Sequence, residues 1–242
     1  MFRIMSLSEL TARVRTVWES LAGAPGGFGP EVRVAVSPGS LLSLPGWPGL
    51  VVIGGEAIAT APDERTARFI TDALSGVAAE SAADAAVLAR LLPIGDMIGP
   101  AALAYVDAEG FRPRPGAETV AVDATAPALQ RLLAEAAASD AGESGLAEIT
   151  SPAFVVRAAG EVAAAAGYAD WPGGVAHLSV LTAARARGRG LGAVASSAAV
   201  THALAAGKLP QWRARVEASR RIARGLGFHE LGAQVGFRLT TG

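Results

Sequence analysis

The 242-residue chain has a formal net charge of −1, and 51% of its residues are hydrophobic. The near-balance of charge gives no overall attraction to nucleic acid or to anionic membranes, so we expect neither as a partner. The chain contains no cysteine, which excludes disulfides, thiolate metal ligands and cysteine nucleophiles.

The sequence also lacks the usual signals for a membrane or a metal. No apolar run reaches the roughly 18 residues of a membrane span, and the start of the sequence has no continuous apolar stretch typical of a secretory signal. The three histidines, His177, His202 and His229, lie too far apart for a zinc motif. We therefore expect a cytoplasmic protein without a metal.

The first half of the chain mixes helix and strand patterns. In chain order these patterns predict a helix at 1–24, a strand at 31–36, a hairpin at 49–62, helices at 63–77 and 81–92, and a segment at 100–107 that fits either a helix or a strand. The segment FRPRPGAE at 111–118 has two prolines, a glycine and no apolar periodicity. It predicts a boundary between a domain at 1–117 and a domain at 118–242.

The second half alternates more regularly between strands and helices. The predicted elements are a strand at 118–123, a helix at 125–139, a hairpin at 153–169, a strand at 175–182, a helix at 191–207, a strand at 211–216, a helix at 217–227 and a last strand or hairpin at 228–239. This order predicts an α/β (α+β) fold, a mixed sheet flanked by helices, preceded by a smaller α/β domain.

The segment RARGRGLG at 185–192 holds three arginines and three glycines directly before a predicted helix. The first N–H groups of a helix lack partners and carry partial positive charge, glycine lets a ligand approach the backbone, and arginine matches phosphate geometry. This pattern predicts an anion site for a diphosphate. The alternatives are a solvated basic turn and a disordered arginine–glycine segment that contacts nucleic acid.

A dinucleotide site is excluded by the order of the elements. Gly188, Gly190 and Ala193 satisfy the spacing G-x-G-x-x-A, and Glu217 follows the next strand. However, five residues separate the strand at 175–182 from this motif, and only 25 residues follow Glu217, too few for the rest of a doubly wound sheet.

Residues 187–192, RGRGLG, resemble the acyl-CoA pyrophosphate signature Arg/Gln-x-x-Gly-x-Gly/Ala of the GNAT superfamily of N-acetyltransferases. The order of elements in 118–242 and the segment ASRRIARGLGF at 218–228 are also similar to that family. The resemblance implies a GNAT-like domain at 118–242. It leaves 1–117 as either a degenerate copy or a specificity domain.

The resemblance implies that acetyl-CoA is the co-substrate, with its pantetheine arm along the strand before the loop and its pyrophosphate on the loop. The residues implied in binding it are Val180, Leu181, Thr182, Arg187, Gly188, Arg189, Gly190, Leu191, Gly192, Ala193 and Ser219.

The catalytic groups differ from the family pattern. The tyrosine and the asparagine that are common in the family fall at Ala223 and Val216 here. We expect His177 to act as the general base, because it interrupts the strand near the family's acidic base and has a suitable ordinary pKa; a core histidine is the alternative. Glu217 and Tyr168 are reserve bases.

The expected function is transfer of an acetyl group from acetyl-CoA to a primary amine, on a small molecule or a peptide. A non-catalytic acyl-CoA-binding or sensor protein of the same fold is the alternative that Ala223 and Val216 favour.

Overall fold

The computed structural model of the protein describes residues 6–240. The helices and strands, in chain order, are α1 (Leu7–Ala22), β1 (Arg33–Val36), β2 (Gly49–Ile53), β3 (Glu56–Ala61), α2 (Glu64–Ala73), α3 (Ala85–Leu91), β4 (Ile94–Tyr105), β5 (Thr119–Val122), α4 (Pro127–Glu135), α5 (Ala138–Ser144), β6 (Ala153–Ala158), β7 (Glu161–Trp171), β8 (Val175–Thr182), α6 (Leu191–Ala205), β9 (Leu209–Ala214), α7 (Glu217–Gly225) and β10 (His229–Leu239).

The chain divides into two compact units, Met1–Leu103 with Glu230–Gly242, and Ala104–His229. This division assigns most of the last strand to the unit formed by the first half of the chain, whereas the sequence predicts that strand within the domain at 118–242. That 1–117 and 118–242 are separate domains stays a prediction.

The first unit contains strands in the order β1-β3-β2-β10-β4. Strand β10 pairs with β2 in an antiparallel register that sets Gly232 opposite Ile53. Helix α1 begins after Ser6, whose side chain accepts from the Glu9 N–H while the Glu9 carboxylate accepts from the Ser6 N–H. The predicted helix at 1–24 thus forms over 7–22, and its residues 1–5 lie outside the described part of the chain.

The second unit contains strands in the order β9-β8-β7-β6-β5. Strands β5 to β8 pair antiparallel, and β8 pairs with β9 in parallel. Successive residues of β7 pack into two different cores: Ala163 and Ala165 lie with α4, while Ala164 and Ala166 lie with α6 and α7. The predicted mixed sheet flanked by helices is confirmed.

Two local predictions need correction or completion. The helix predicted at 125–139 ends at Glu135, because Ala136 and Ala137 have extended backbone, and a second helix, α5, begins at Ala138. No glycine or proline marks that break, so the sequence pattern did not reveal it. The ambiguous segment at 100–107 lies mostly in strand β4.

No helix among residues 6–240 is long and apolar enough to cross a membrane.

Candidate functional site

Strands β8 and β9 stay paired for only three residues. The pairs are Val175 with Leu209, Ala176 with Pro210 and His177 with Gln211. Both strands continue beyond them, β8 to Thr182 and β9 to Ala214, without further pairing between them among the described residues. The later part of β8 therefore has backbone groups on its β9 side that a ligand can use.

The register of β8 against β7 decides which backbone groups those are. The Ala183 N–H donates to the Ala163 carbonyl at 2.9 Å, so this position is a hydrogen-bonded pair of the antiparallel ladder. Because hydrogen-bonded pairs alternate along the ladder, Leu181 directs its backbone N–H and C=O toward β7. Val180 and Thr182 direct theirs toward the open side. Of the three predicted strand residues, Val180 and Thr182 thus have backbone groups on the open side, and a role of Leu181 in binding stays a prediction.

The glycine loop after β8 leads directly into the N-terminus of α6. Gly188 and Gly190 have φ values of 76° and 74°, in the left-handed region that favours glycine. The N–H groups of Ala193 and Val194 donate to the Gly190 carbonyl at 3.1 and 3.2 Å. Ala193, a predicted ligand of the pyrophosphate, thus already uses its N–H within the helix. In the described structure, the N–H groups of residues 188–192 have no such partner and suit an anion.

Gly192 allows close packing of α6 on β8. A Cβ atom at this position would lie 2.7 Å from the Thr182 hydroxyl oxygen, which is too close without a shift of the neighbour. A Cβ at Gly188 or Gly190 would meet nothing within 4 Å. The loop therefore faces open space, while the first turn of the helix is held tightly against the strand.

The three arginines of the loop differ in their partners. Arg185 pairs with Glu135 at 2.8 Å, and Arg187 pairs with Asp140 at 2.6 Å. Arg189 has no ion pair or side-chain hydrogen bond within residues 6–240. Arg189 is therefore the arginine of this loop that can bind an anion without first giving up an acidic partner.

His177 lies at the last paired position of β8 and β9, and it contacts residues that sequence reasoning missed. Its Nδ1 lies 2.7 Å from Oε1 of Gln211, whose Nε2 donates to the Tyr105 hydroxyl at 2.7 Å. The ring stacks on Trp171, with centroids 4.3 Å apart and 15° between the planes. The parallel register of β8 and β9 brings Gln211 to the ring, and the antiparallel register of β7 and β8 brings Trp171. No sequence spacing predicts the register of β8 and β9.

Burial lowers the pKa of His177 to about 4, the positive charge of Arg213 lowers it as well, and the hydrogen bond with Gln211 acts in the opposite direction. The ring is therefore neutral at neutral pH and has a lone pair that can accept a proton. Its pKa is well below the ordinary value on which the sequence analysis relied. The assignment of His177 as the base stays a prediction.

The two reserve bases do not contact His177 in the described structure. Glu217 is exposed at the start of α7, and its carboxylate pairs with Arg224 of the same helix. The hydroxyl of Tyr168 lies 3.0 Å from Nδ1 of His202, and burial raises the pKa of Tyr168. Tyr168 sits opposite Leu178, on the face of the sheet that packs against α6. The side chain of His177, next to Leu178 in the strand, projects from the opposite face of the sheet.

Helix α7 packs on the sheet without presenting an acid at the expected place. Ala223 is buried in the apolar cluster that also holds Trp212 and Phe228. The Trp212 indole N–H donates to the Ser219 hydroxyl at 2.9 Å, and this bond joins α7 to β9. A role of Ser219 in binding CoA stays a prediction. No group of three or more histidine, aspartate or glutamate side chains that could hold a metal occurs within residues 6–240.

The comparison with protein families points to the same segment. Residues 152–235 match the model of the GNAT acetyltransferase family. This range contains the diverging strands, the glycine loop and α7. The C-terminal region belongs to the GNAT family. No curated protein matches the sequence.

Solved structures share the fold of this GNAT region. The match to the GCN5-related N-acetyltransferase-like protein from Streptococcus suis 89/1591 has a TM-score of 0.50 at 14% identity and covers 96% of this chain and 100% of that chain. An acetyltransferase from the GNAT family of Colwellia psychrerythraea matches over 64% of this chain and 60% of its own, with 15% identity and a TM-score of 0.48. The GCN5-related N-acetyltransferase from Kribbella flavida matches over 66% of this chain and 65% of its own, with 22% identity and a TM-score of 0.48.

This chain thus spans less than two thirds of the length of the Colwellia and Kribbella proteins. The Streptococcus match extends the likeness in fold to nearly the whole chain. The family match assigns the GNAT region to the acyltransferases.

Proposed function

We propose that the protein is an N-acetyltransferase that moves the acetyl group of acetyl-CoA to a primary amine. The observation that carries this proposal is the pair of parallel strands that separate after His177 and Gln211 and end beside a glycine loop. An extended chain with amide groups can pair with one separated strand, and a diphosphate can bind the N–H groups at the helix N-terminus. Acyl-CoA has both of these parts.

The binding residues follow from the geometry of β8 and the loop. The backbone groups of Val180 and Thr182 would pair with the amides of the pantetheine arm. The N–H groups of residues 188–192 would bind the pyrophosphate, and Arg189 would add a charged donor. Four of the predicted binding residues are not part of this set. The backbone groups of Leu181 and Ala193 are used within the protein, the Arg187 side chain pairs with Asp140, and the Ser219 hydroxyl accepts from Trp212.

In the proposed reaction the amine nitrogen forms a bond to the acyl carbon, and the bond from that carbon to sulfur breaks. The sulfur leaves as a thiolate, which needs little assistance because a thiol has an ordinary pKa of about 8.5. Nε2 of neutral His177 would accept the proton that the nitrogen loses. An alkylammonium ion is a far weaker acid than protonated His177, whose pKa is about 4. His177 therefore accepts the proton only as the bond between the nitrogen and the acyl carbon forms.

A second candidate is a protein that binds acyl-CoA without turning it over. The burial of Ala223 in an apolar cluster favours it, because no side chain at that place of α7 can protonate the leaving thiolate. The two candidates predict the same CoA affinity and differ in the release of free thiol.

Incubation of the protein with acetyl-CoA and a panel of primary amines, with free thiol as the readout, tests the proposal. The variant Gly190→Asp places a negative side chain at the loop, and Gly160→Asp is its matched control. Gly160 has a φ of 82° and open space at its Cβ, but it lies in the turn between β6 and β7. Thiol release that Gly190→Asp abolishes and Gly160→Asp retains supports the transferase. Binding of CoA without release with any amine supports the binding protein, and the absence of CoA binding refutes both.

A further inference from the structure

We propose that Gln211 is a positioning residue that fixes the proton of His177 on Nδ1 and leaves the lone pair on Nε2. This inference rests on the proposed function for its catalytic meaning. The position of the proton is a property of the protein itself, however, and can be measured without a reaction.

The backbone brings these two side chains together. His177 and Gln211 form the third and last pair of β8 and β9, at the point where the strands separate. Directly paired residues of neighbouring strands project their side chains to the same face of the sheet. The distance between Nδ1 of His177 and Oε1 of Gln211 is 2.7 Å, which is a short hydrogen bond.

The chemistry of the amide decides which nitrogen of the ring carries the proton. The amide oxygen of Gln211 accepts hydrogen bonds and cannot donate, so a neutral His177 facing it must be protonated on Nδ1. The amide nitrogen of Gln211 donates to the Tyr105 hydroxyl at 2.7 Å, so both ends of the amide have a partner in this orientation. Nε2 of His177 then has the lone pair, and it has no hydrogen-bond partner among the described residues.

Burial makes this arrangement difficult to replace. The side chain of Gln211 is fully buried, with 0% exposure, and Tyr105 is equally buried. The amide of Gln211 and its bond to Tyr105 therefore lie away from solvent. Trp171 stacks on the ring, so the imidazole is also restricted in its rotation. Within residues 6–240, Arg213 on β9 and the Tyr105 hydroxyl on β4 are the charged and titratable groups around this arrangement, and the carboxylates of Glu143 and Glu148 act on Arg213.

The nitrogen chemical shifts of ¹⁵N-labelled histidine test the proposal directly. The sequence has only three histidines, so the loss of one signal set in His177→Gln assigns the resonances. The wild-type protein at neutral pH should show His177 protonated on Nδ1. Gln211→Leu removes the acceptor and should move the proton to Nε2, the form that a free imidazole prefers. Gln211→Glu keeps an acceptor oxygen and should retain the proton on Nδ1.

The kinetic consequence has its own control. Gln211→Leu should lower kcat by roughly tenfold or more, as expected for misplacing a general base, with little change in the KM for acetyl-CoA. Gln211→Glu should restore part of kcat and shift the pH profile upward, because a carboxylate stabilises the protonated ring. Gln234→Leu, at a buried glutamine that donates to the Leu42 carbonyl, controls for the loss of a buried amide and should leave kcat unchanged.

The two proposals fail in different ways. The positioning role of Gln211 is overturned if wild-type His177 is protonated on Nε2. It is also overturned if the proton stays on Nδ1 in a folded Gln211→Leu variant. If the nitrogen chemical shifts are as expected but the protein shows no turnover with any amine, only the transferase function is overturned. If Gln211→Leu fails to fold, the wild type is compared with Gln211→Glu. A proton that lies on Nδ1 in the wild type but on Nε2 in Gln211→Glu also overturns the proposal.

Discussion

Replacement of His177 by glutamine should remove part of the pH dependence of the stability of this protein. The folded structure lowers the pKa of His177 from 6.5 to about 4, chiefly through burial and also through the charge of Arg213. Between these two pKa values the unfolded chain binds more protons than the folded protein. The free energy of unfolding therefore falls as the pH falls through this range, and it is highest above the pKa of the unfolded chain.

The size of this effect follows from the two pKa values. Their difference, 6.5 − 4, corresponds to about 3 kcal/mol when the transition is complete, at about 1.36 kcal/mol for each pKa unit. About 2 kcal/mol of this should already be lost between pH 8 and pH 5, because the unfolded chain is almost fully protonated at pH 5. That amount is a large part of the marginal stability of a typical protein.

Urea unfolding of the wild type and of His177→Gln at several pH values between 8 and 5 measures the effect. The carboxylates contribute equally to both proteins, so the difference between the two free energies isolates His177. We expect this difference to change by about 2 kcal/mol, with the wild type losing more stability. His229→Gln is the matched control for the replacement of a histidine, because His229 is exposed. Parallel curves for the wild type and His177→Gln would refute the reasoning from burial.

Further predictions concern the loop and the reaction. Gly190→Asp should lower the affinity for CoA by well over tenfold, more than about 1.4 kcal/mol, whereas Gly160→Asp should leave it unchanged in calorimetry. Arg189→Ala should cost about 1–2 kcal/mol of CoA binding, as for the loss of one charge-assisted bond, and Arg187→Ala less, because Arg187 already pairs with an aspartate; equal losses in calorimetry would contradict this order. His177→Gln should retain CoA binding but lower turnover roughly 10²- to 10⁴-fold, and its pH–rate profile should lack a step near pH 4 that the wild type shows; normal turnover with an unchanged profile would make this histidine a core residue.

The local elements of the C-terminal half were predictable because each depends on residues close in sequence. The strand at 175–182 has the predicted bounds, because an apolar run ends at residues that suit a loop. The turn of the hairpin at 153–169 forms at Ala159 and Gly160, both with positive φ. The left-handed backbone at Gly188 and Gly190 follows from the same local property, since only glycine adopts it without strain.

Contacts between distant segments were not predictable, because they depend on how strands pair. The sequence predicts a strand or a hairpin at 228–239, but the antiparallel pairing of β10 with β2 decides which unit this segment joins. Likewise, the arginines of the loop were identified from sequence. Only the fold brought Arg187 to an aspartate of α5 and left Arg189 without an acidic partner among the described residues.

The sequence by itself determined that residues 185–192 form a flexible, positively charged loop before a helix, because composition and backbone freedom are local properties. It also determined that His177 interrupts an apolar strand. Only the tertiary structure decided what His177 is. The pairing of β8 with β9 brings Gln211 to its ring, and the pairing of β8 with β7 brings Trp171 there, while Tyr105 of β4 bonds to Gln211. The pKa of a side chain depends on the groups and the solvent around it in space, and those are set by the register of strands that lie far apart in the chain.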